Sequence, residues 1–326
     1  PLLTLALTVI GANADLLPLV NTYFDICVWG APAMLCLYAL TGWFIGMQDT
    51  RVTMAASIVQ NIVNIVASLT LVYGFGMKIE GVATGTLIAQ YAGLLTALAF
   101  FVARFGSKIR LIDIREVVRS EALLRFFNVN RNIFIRTLFI VAVNLFFVSA
   151  GAIHGTMTLA VNTLLMQLFT LFSYVMDGFA NAGEALCGKY TGADDRGAFF
   201  ATVKRLFAWG AALTVAYTAV YALGGSAFLA LLTDDSQVLH AAGEYLPWAI
   251  AIPAAGVAAF VWDGVFIGTT DTRGMLVSSA VSALLFFGIY LLASPTLHNL
   301  GLWLAFIAYL LARGVVQTII FRNKNR

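Results

Sequence analysis

The stretch Gly42-Trp43-Phe44-Ile45-Gly46-Met47-Gln48-Asp49-Thr50-Arg51 returns 222 residues later as Gly264-Val265-Phe266-Ile267-Gly268-Thr269-Thr270-Asp271-Thr272-Arg273, with seven of ten positions identical. Each copy closes a long apolar run, and Tyr23 and Tyr245 stand at the same offset near the start of those runs. The chain therefore reads as an internal duplication whose repeat lies in a membrane and is far longer than a solenoid unit. Duplicated helical halves are the architecture of many secondary transporters.

Composition supports the membrane reading. Of 326 residues, 61% are hydrophobic and 11% charged, with a mean hydropathy of +0.90, whereas soluble domains carry about 25% charge. A formal charge of +3 gives no reason to expect a nucleic-acid partner; what matters is where the positive residues sit. Cys27, Cys36 and Cys187 show no C-x-x-C spacing, so neither a disulfide framework nor a zinc site is suggested. The chain opens on Pro1, and residues 1–10 read as the tail of an apolar helix without the basic leader of a signal peptide.

Runs of about 20 apolar residues predict spans near 24–47, 52–74, 80–104, 132–153, 156–186, 200–223, 244–268, 274–293 and 299–321, with turns at 74–78, 192–196, 233–236 and 294–295. Threading them through a bilayer puts 18 of the 19 Lys and Arg on one side, Lys78 alone opposite. That side is expected to be cytoplasmic and to hold the C-terminus. Both Asp-Thr-Arg turns fall on it, so the two halves share one topology. From about residue 130 the second half holds six helices, and the first holds three and the stump. The expectation is an all-α, polytopic protein of two parallel-repeat six-helix lobes, with the first two helices and part of the third lying upstream of Pro1. The lobes are 1–104 and 132–326, joined by 105–131, which reads as a cytoplasmic amphipathic linker at the headgroups.

Polar side chains inside spans cost a few kcal/mol on insertion scales, roughly 2.5–3.5 for a charge at the helix centre, so each is a candidate for cation or substrate chemistry. On 52–74, Asn61, Asn64 and Ser68 recur at spacings of three and four and share a face, and Thr86 and Gln90 on the next helix could complete a polar pocket. Interhelical hydrogen bonding is the structural alternative. On 156–186, Asp177 and Glu184 lie seven apart with Asn181 beside Asp177, a pattern able to bind a proton, a metal cation or a cationic substrate. Glu184 could instead pair with Lys189. Asp263 immediately precedes the second decapeptide where the first copy has Thr41, and pairing with Arg273 or Arg136 is its structural alternative. The repeated turns read as loop geometry, Asp capping the next helix and Arg anchoring at headgroups. The three histidines fall in outer loops. The chain contains no G-x-x-x-x-G-K-[ST], H-E-x-x-H or G-x-S-x-G, which disfavours ATP-driven pumping and hydrolase chemistry.

The stretch from Gly42 to Arg51, the following Asn-Ile-Val-Asn-Ile-Val-Ala-Ser-Leu, and Glu-Gly-Val-Ala-Thr-Gly-Thr-Leu-Ile-Ala at 80–89 resemble the multidrug and toxic compound extrusion (MATE) transporters. The segments at 131–137, 177–188 and 262–273 look like the DinF branch of that family. The resemblance implies no enzyme and no cofactor. It implies an inner-membrane, monomeric antiporter exporting amphipathic, often cationic compounds against H⁺ or Na⁺, with membrane lipid as its other partner. The family's coupling residues in the N-terminal lobe carry over as Asn64 and Thr86, while the position of a family Asp is taken by Ser68. Because Ser68 cannot hold a proton, coupling would rest upstream or on Asp177, and the absence of a carboxylate on 132–153 leans toward H⁺ over Na⁺. Two other readings compete: a lipid-linked oligosaccharide flippase, which would want a strongly cationic cavity, and a membrane-embedded metal-dependent transferase using Asp177, Glu184 and Asp263.

Overall fold

The structure, a computed structural model, describes residues 17–109 and 119–325. These fall into two compact helical units. In the first, α1 (Leu17–Cys27) passes through a 3-10 turn at Val28–Gly30 into α2 (Ala31–Gly46). Pro32 falls in the first turn of α2, where its missing N–H leaves no helical hydrogen bond unmade. Then come α3 (Thr50–Leu69), which ends in a π turn, and α4 (Ile79–Ile109). The second unit contains α5 (Ser120–Ile153), α6 (Thr156–Gly192), α7 (Arg196–Leu232), α8 (Ser236–Gly268), α9 (Thr272–Leu297) and α10 (Asn299–Lys324).

With α1 and α2 counted as one, nine stretches among the described residues are long and apolar enough to cross a membrane, matching the nine full spans expected from the apolar runs. The stump at 1–10 lies outside the described residues. Leu223 and Leu292 are 91% and 84% exposed, positions that a bilayer solvates and water would not. Two boundaries differ from expectation. The Ser-Pro pair at 294–295 does not turn the chain: α9 continues to Leu297 and ends at His298, whose φ of 48° breaks the helix. The 105–131 segment is not one amphipathic helix either. Its start continues α4 to Ile109 and its end, from Ser120, begins α5, with 110–118 outside the described residues.

The duplication is visible in the backbone. Gln48 and Thr270 occupy the left-handed region at φ 61° and 59°. In each copy the next N–H reaches back five residues, Asp49 to Phe44 O and Asp271 to Phe266 O, both at 2.8 Å. This is the Schellman closure, which satisfies carbonyls that a helix end leaves unpaired. The 192–196 turn repeats it, with Asp194 at φ 53° and Asp195 N bonded to Tyr190 O. Asp195 and Asp271 then cap the following helices, accepting from Ala198 N and Gly274 N. Asp49 departs from the expected capping role and pairs with Arg104 of α4.

In the second unit α8 is the central helix, packed on α6, α7 and α10. It is apolar nearly all round, as a helix enclosed by others must be. Its contact with α6 is backbone on backbone: a Cβ at Gly264 would stand 2.2 Å from the Ala180 carbonyl oxygen, and one at Gly268 2.6 Å from that of Glu184. The Gly-x-x-x-Gly spacing creates that closeness. The equivalent Gly42 and Gly46 of α2 have no such neighbour within 4 Å among the described residues. At the end of the unit opposite the Asp-Thr-Arg turn, Asn162 of α6 and Asn299 of α10 exchange amide hydrogen bonds at 2.8 and 3.0 Å, and Trp303 Nε1 donates to the same Asn162 oxygen.

Gly264→Val should drive α6 and α8 apart at a cost of roughly 1–3 kcal/mol or more, seen as a lower melting temperature and loss of monodispersity in detergent. Thr270→Gly should relieve a β-branched residue from the left-handed region and raise stability by about 1 kcal/mol, read as a rise in the same melting temperature.

Candidate functional site

Two polar groupings among the described residues contain the side chains expected above, one in each unit. In the first, Asn64 of α3 donates to Thr86 Oγ1 of α4 at 3.3 Å, and the Thr86 hydroxyl donates in turn to Val82 O at 3.0 Å. Ser68, one turn further along α3, packs against Gly85, and its Oγ is buried without a hydrogen-bond partner among the described residues. The other two residues expected here go elsewhere. Asn61 donates to Ser57 O on its own helix. Gln90 fills the notch left by Gly30 at the start of α2, its Oε1 buried and unpartnered among the described residues. The expected pocket of five thus reduces to Asn64, Thr86 and Ser68. Sharing a helical face with Thr86 did not decide which neighbour Gln90 would meet.

The second grouping is built around Asp263, which is 6% exposed on α8. Its Oδ2 accepts from Arg136 of α5 and, at 2.7 Å, from Arg313 of α10. Its Oδ1 accepts from Gln317 Nε2 of α10 at 2.7 Å. Of the two partners expected for Asp263, Arg136 is therefore present, and Arg273 is not among its partners. Arg313 and Gln317 are four residues apart on α10 and so project from one face. Arg313 lies inside α10, 4% exposed, eleven residues before Lys324. The signal was present in the sequence as an arginine flanked on both sides by apolar residues. A buried carboxylate is tolerated when its oxygens are paired, as here by two guanidiniums on one oxygen and an amide on the other.

Asp177 of α6 lies within electrostatic reach of Asp263, Arg136 and Arg313, and unlike Asp263 it is exposed. Carboxylates at such a depth of an apolar helix characteristically face a bundle interior or a wet cavity and not lipid. Asn181, one turn on, is exposed as well, while Glu184 is partly buried at the level where its backbone meets Gly268. The structure thus brings Asp177 and Asp263 into one electrostatic cluster and leaves Glu184 about 10 Å further along the helix axis. Among the described residues, no three of His, Cys, Asp and Glu come together in a way that could hold a metal ion.

Around this frame lie interhelical ties that composition did not single out. Trp262 Nε1 donates to Thr318 Oγ1 at 2.8 Å, the Ser278 hydroxyl to Arg313 O at 3.0 Å, and Asn132 Nδ2 to Thr272 Oγ1 at 3.1 Å. They fix α10 and α9 beside α8 and α5, so the backbone of Arg313 is tied by Ser278 while its guanidinium is held by the ion pair.

Comparison with known proteins gives the same architecture. The MatE family model matches residues 2–70 and 133–291. Over 325 residues the chain is 34% identical to DNA damage-inducible protein F of Escherichia coli (strain K12), a match covering 99% of this chain and 70% of that protein. It is 20% identical to the multidrug export protein MepA of Staphylococcus aureus (strain NCTC 8325 / PS 47), covering 98% of this chain and 70% of that one. It spans only 56% of the length of two Arabidopsis thaliana relatives that are 26% and 25% identical to it. The fold superposes on the crystal structure of a mutant of the Vibrio cholerae MATE transporter VcmN with a TM-score of 0.87 at 14% identity, over 98% of this chain and 72% of that one. With the duplicated turn, the apolar helices and the family match over most of its length, the chain belongs to the MatE family, whose members are transporters and not enzymes.

Proposed function

We propose that the protein is a secondary multidrug exporter that exchanges an amphipathic or cationic compound for H⁺ across a bacterial inner membrane by alternating access. Asp177 serves as the exchange group of the second unit. The observation that carries this reading is the contrast between the two aspartates. Asp263 has both oxygens engaged by Arg136, Arg313 and Gln317, whereas Asp177 stands exposed beside it. A coupling ion needs an acid that can be reached, and Asp263 is buried with both oxygens engaged. The export of drugs named for MepA supports the substrate class, and the surplus of Lys and Arg at the Asp-Thr-Arg end supports a cytoplasmic C-terminus. Asn64, Thr86 and Ser68 would contribute polar contacts to substrate or ion in the first unit.

In the cycle proposed, ionised Asp177 attracts the cationic compound. Protonation removes that attraction and biases the protein toward the state that releases it. For the proton to drive transport, the two states must differ in their affinity for it. The flippase reading would want an uncompensated cationic cavity, and the buried arginines here are bound to a carboxylate. The transferase reading would want Asp177, Glu184 and Asp263 to converge, and Asp263 is turned to its arginines.

The direct test is drug efflux from inverted vesicles carrying the full-length protein under an imposed pH or Na⁺ gradient, with and without Asp177→Asn. Proton-driven efflux should be lost in the variant while the protein stays folded; efflux that survives would move coupling away from this residue. Asp263→Asn should behave differently, because it strips the counter-charge from two buried guanidiniums. A cost of roughly 3–5 kcal/mol is expected, read as a marked fall in melting temperature and in folded yield.

A further inference from the structure

Two guanidiniums meet one carboxylate in the core of the second unit, so the Arg136, Asp263 and Arg313 set carries one positive charge in excess. Arg313 is the buried anchor at 4% exposure. Arg136, with a side chain 14% exposed, lies at the accessible edge of the set. The accessible anion beside it is Asp177, and the charged groups that reach Asp177 are Asp263 from α8, Arg136 from α5 and Arg313 from α10. The remaining helix packed on α6 is α7, which brings Tyr217 edge-on to Phe172 and Tyr221, whose hydroxyl donates to Leu168 O at 2.7 Å. Both are uncharged phenols. Ionised Asp177 therefore balances the set to neutrality, and anything that discharges Asp177 uncovers a positive site.

We propose that Arg136 and Arg313 are specificity-determining residues: they make the wet region beside Asp177 reverse its sign when that carboxylate is discharged, so that it repels a cationic compound and accepts an anionic or zwitterionic amphiphile. Without the arginines, protonation would merely end an attraction. With them it adds a repulsion, because a fixed positive charge within electrostatic reach in a poorly screened site acts strongly on a bound cation. The same fixed charge gives the unliganded, protonated state an affinity for carboxylate, sulfonate or phosphate headgroups. Arginine suits this role because its guanidinium stays charged while it holds Asp263, and of the two it is Arg136, with its side chain 14% exposed, that lies nearer the accessible side.

This inference rests on the exporter reading for the identity of the binding region, but its test does not use transport. The full-length protein in detergent is titrated at neutral pH with a lipophilic cation, tetraphenylphosphonium, and a lipophilic anion of the same shape, tetraphenylborate. The comparison covers wild type and the variants Asp177→Asn, Arg136→Lys, Arg136→Gln and the double variant Asp177→Asn/Arg136→Gln. The wild type and Arg136→Lys should favour the cation. Asp177→Asn should shift the ratio of affinities toward the anion by about tenfold or more. The double variant should fall back between them, because removing Arg136 restores neutrality with Arg313 and Asp263 still paired. A ratio that Asp177→Asn leaves unchanged overturns the proposal, as does a double variant that matches Asp177→Asn. Melting curves identify any variant that fails to fold, and the ratio in Asp177→Asn alone carries the test if Arg136→Gln does. Ratios that switch as described in a protein without gradient-driven efflux would sink the antiport reading and leave this one standing.

Discussion

The second unit is organised by the need to keep one buried aspartate ionised without water. Asp263 sits on α8, the helix that α6, α7 and α10 surround, so its charge cannot escape to an interface. Its counter-charges must come from other helices, and they do: Arg136 from α5, Arg313 and Gln317 from α10. Hydrogen bonds from Ser278, Trp262 and Asn132 then hold those helices in the register that the ion pairs require. Burying such a set costs more solvation than its attraction reliably returns, so its presence in an otherwise apolar bundle speaks for positioning of charge more than for stability. The glycine-to-backbone seam between α6 and α8 belongs to the same arrangement, because it lets Asp177 approach a charge on the neighbouring helix.

Duplication supplies a symmetric frame, and function is carried by where the copies depart from each other. The Asp-Thr-Arg turn repeats the left-handed residue and the five-residue closure in both copies. In both copies its aspartate also meets a basic residue on the last helix of its unit, Asp49 with Arg104 and Asp271 with Lys324. Five residues upstream of the second decapeptide's Gly268 the symmetry fails: Asp263 stands where the first copy has Thr41. The acid belongs to one unit only. The first unit keeps a neutral pair instead, Asn64 with Thr86.

The helices were legible because the bilayer imposes a strong rule on composition: a span must be apolar for about twenty residues, whatever it packs against. The repeated turn was legible because seven identical residues encode one backbone path. Partnership was less so. Periodicity assigns a side chain to a face, but a face of α4 meets both α3 and the start of α2. Gln90 took the space that Gly30 leaves open, while Thr86 on the same face turned to Asn64. Arg313 was obscured for another reason. Positive charge near a helix end is normally read as a headgroup anchor, and only the buried carboxylate on a different helix makes its interior position tolerable. Asn162 and Asn299 lie 137 residues apart, a separation at which no local pattern links them.

The separation of the charges along the chain sets a problem for the protein's own synthesis. Arg136 enters the membrane on α5, and its partner Asp263 follows 127 residues later, which at ordinary elongation rates is roughly 6 to 25 s of translation. During that interval a guanidinium must wait in or beside the insertion machinery without its counter-ion, with α6 and its Asp177 the first helix able to relieve it. Arg313 arrives 50 residues after Asp263, so an early pairing of Arg136 with Asp177 has time to form and must later be exchanged for the final one. The carboxylate proposed for ion exchange would then also act as a temporary escort during assembly, and the order in which the helices leave the ribosome becomes part of how the charge cluster is made.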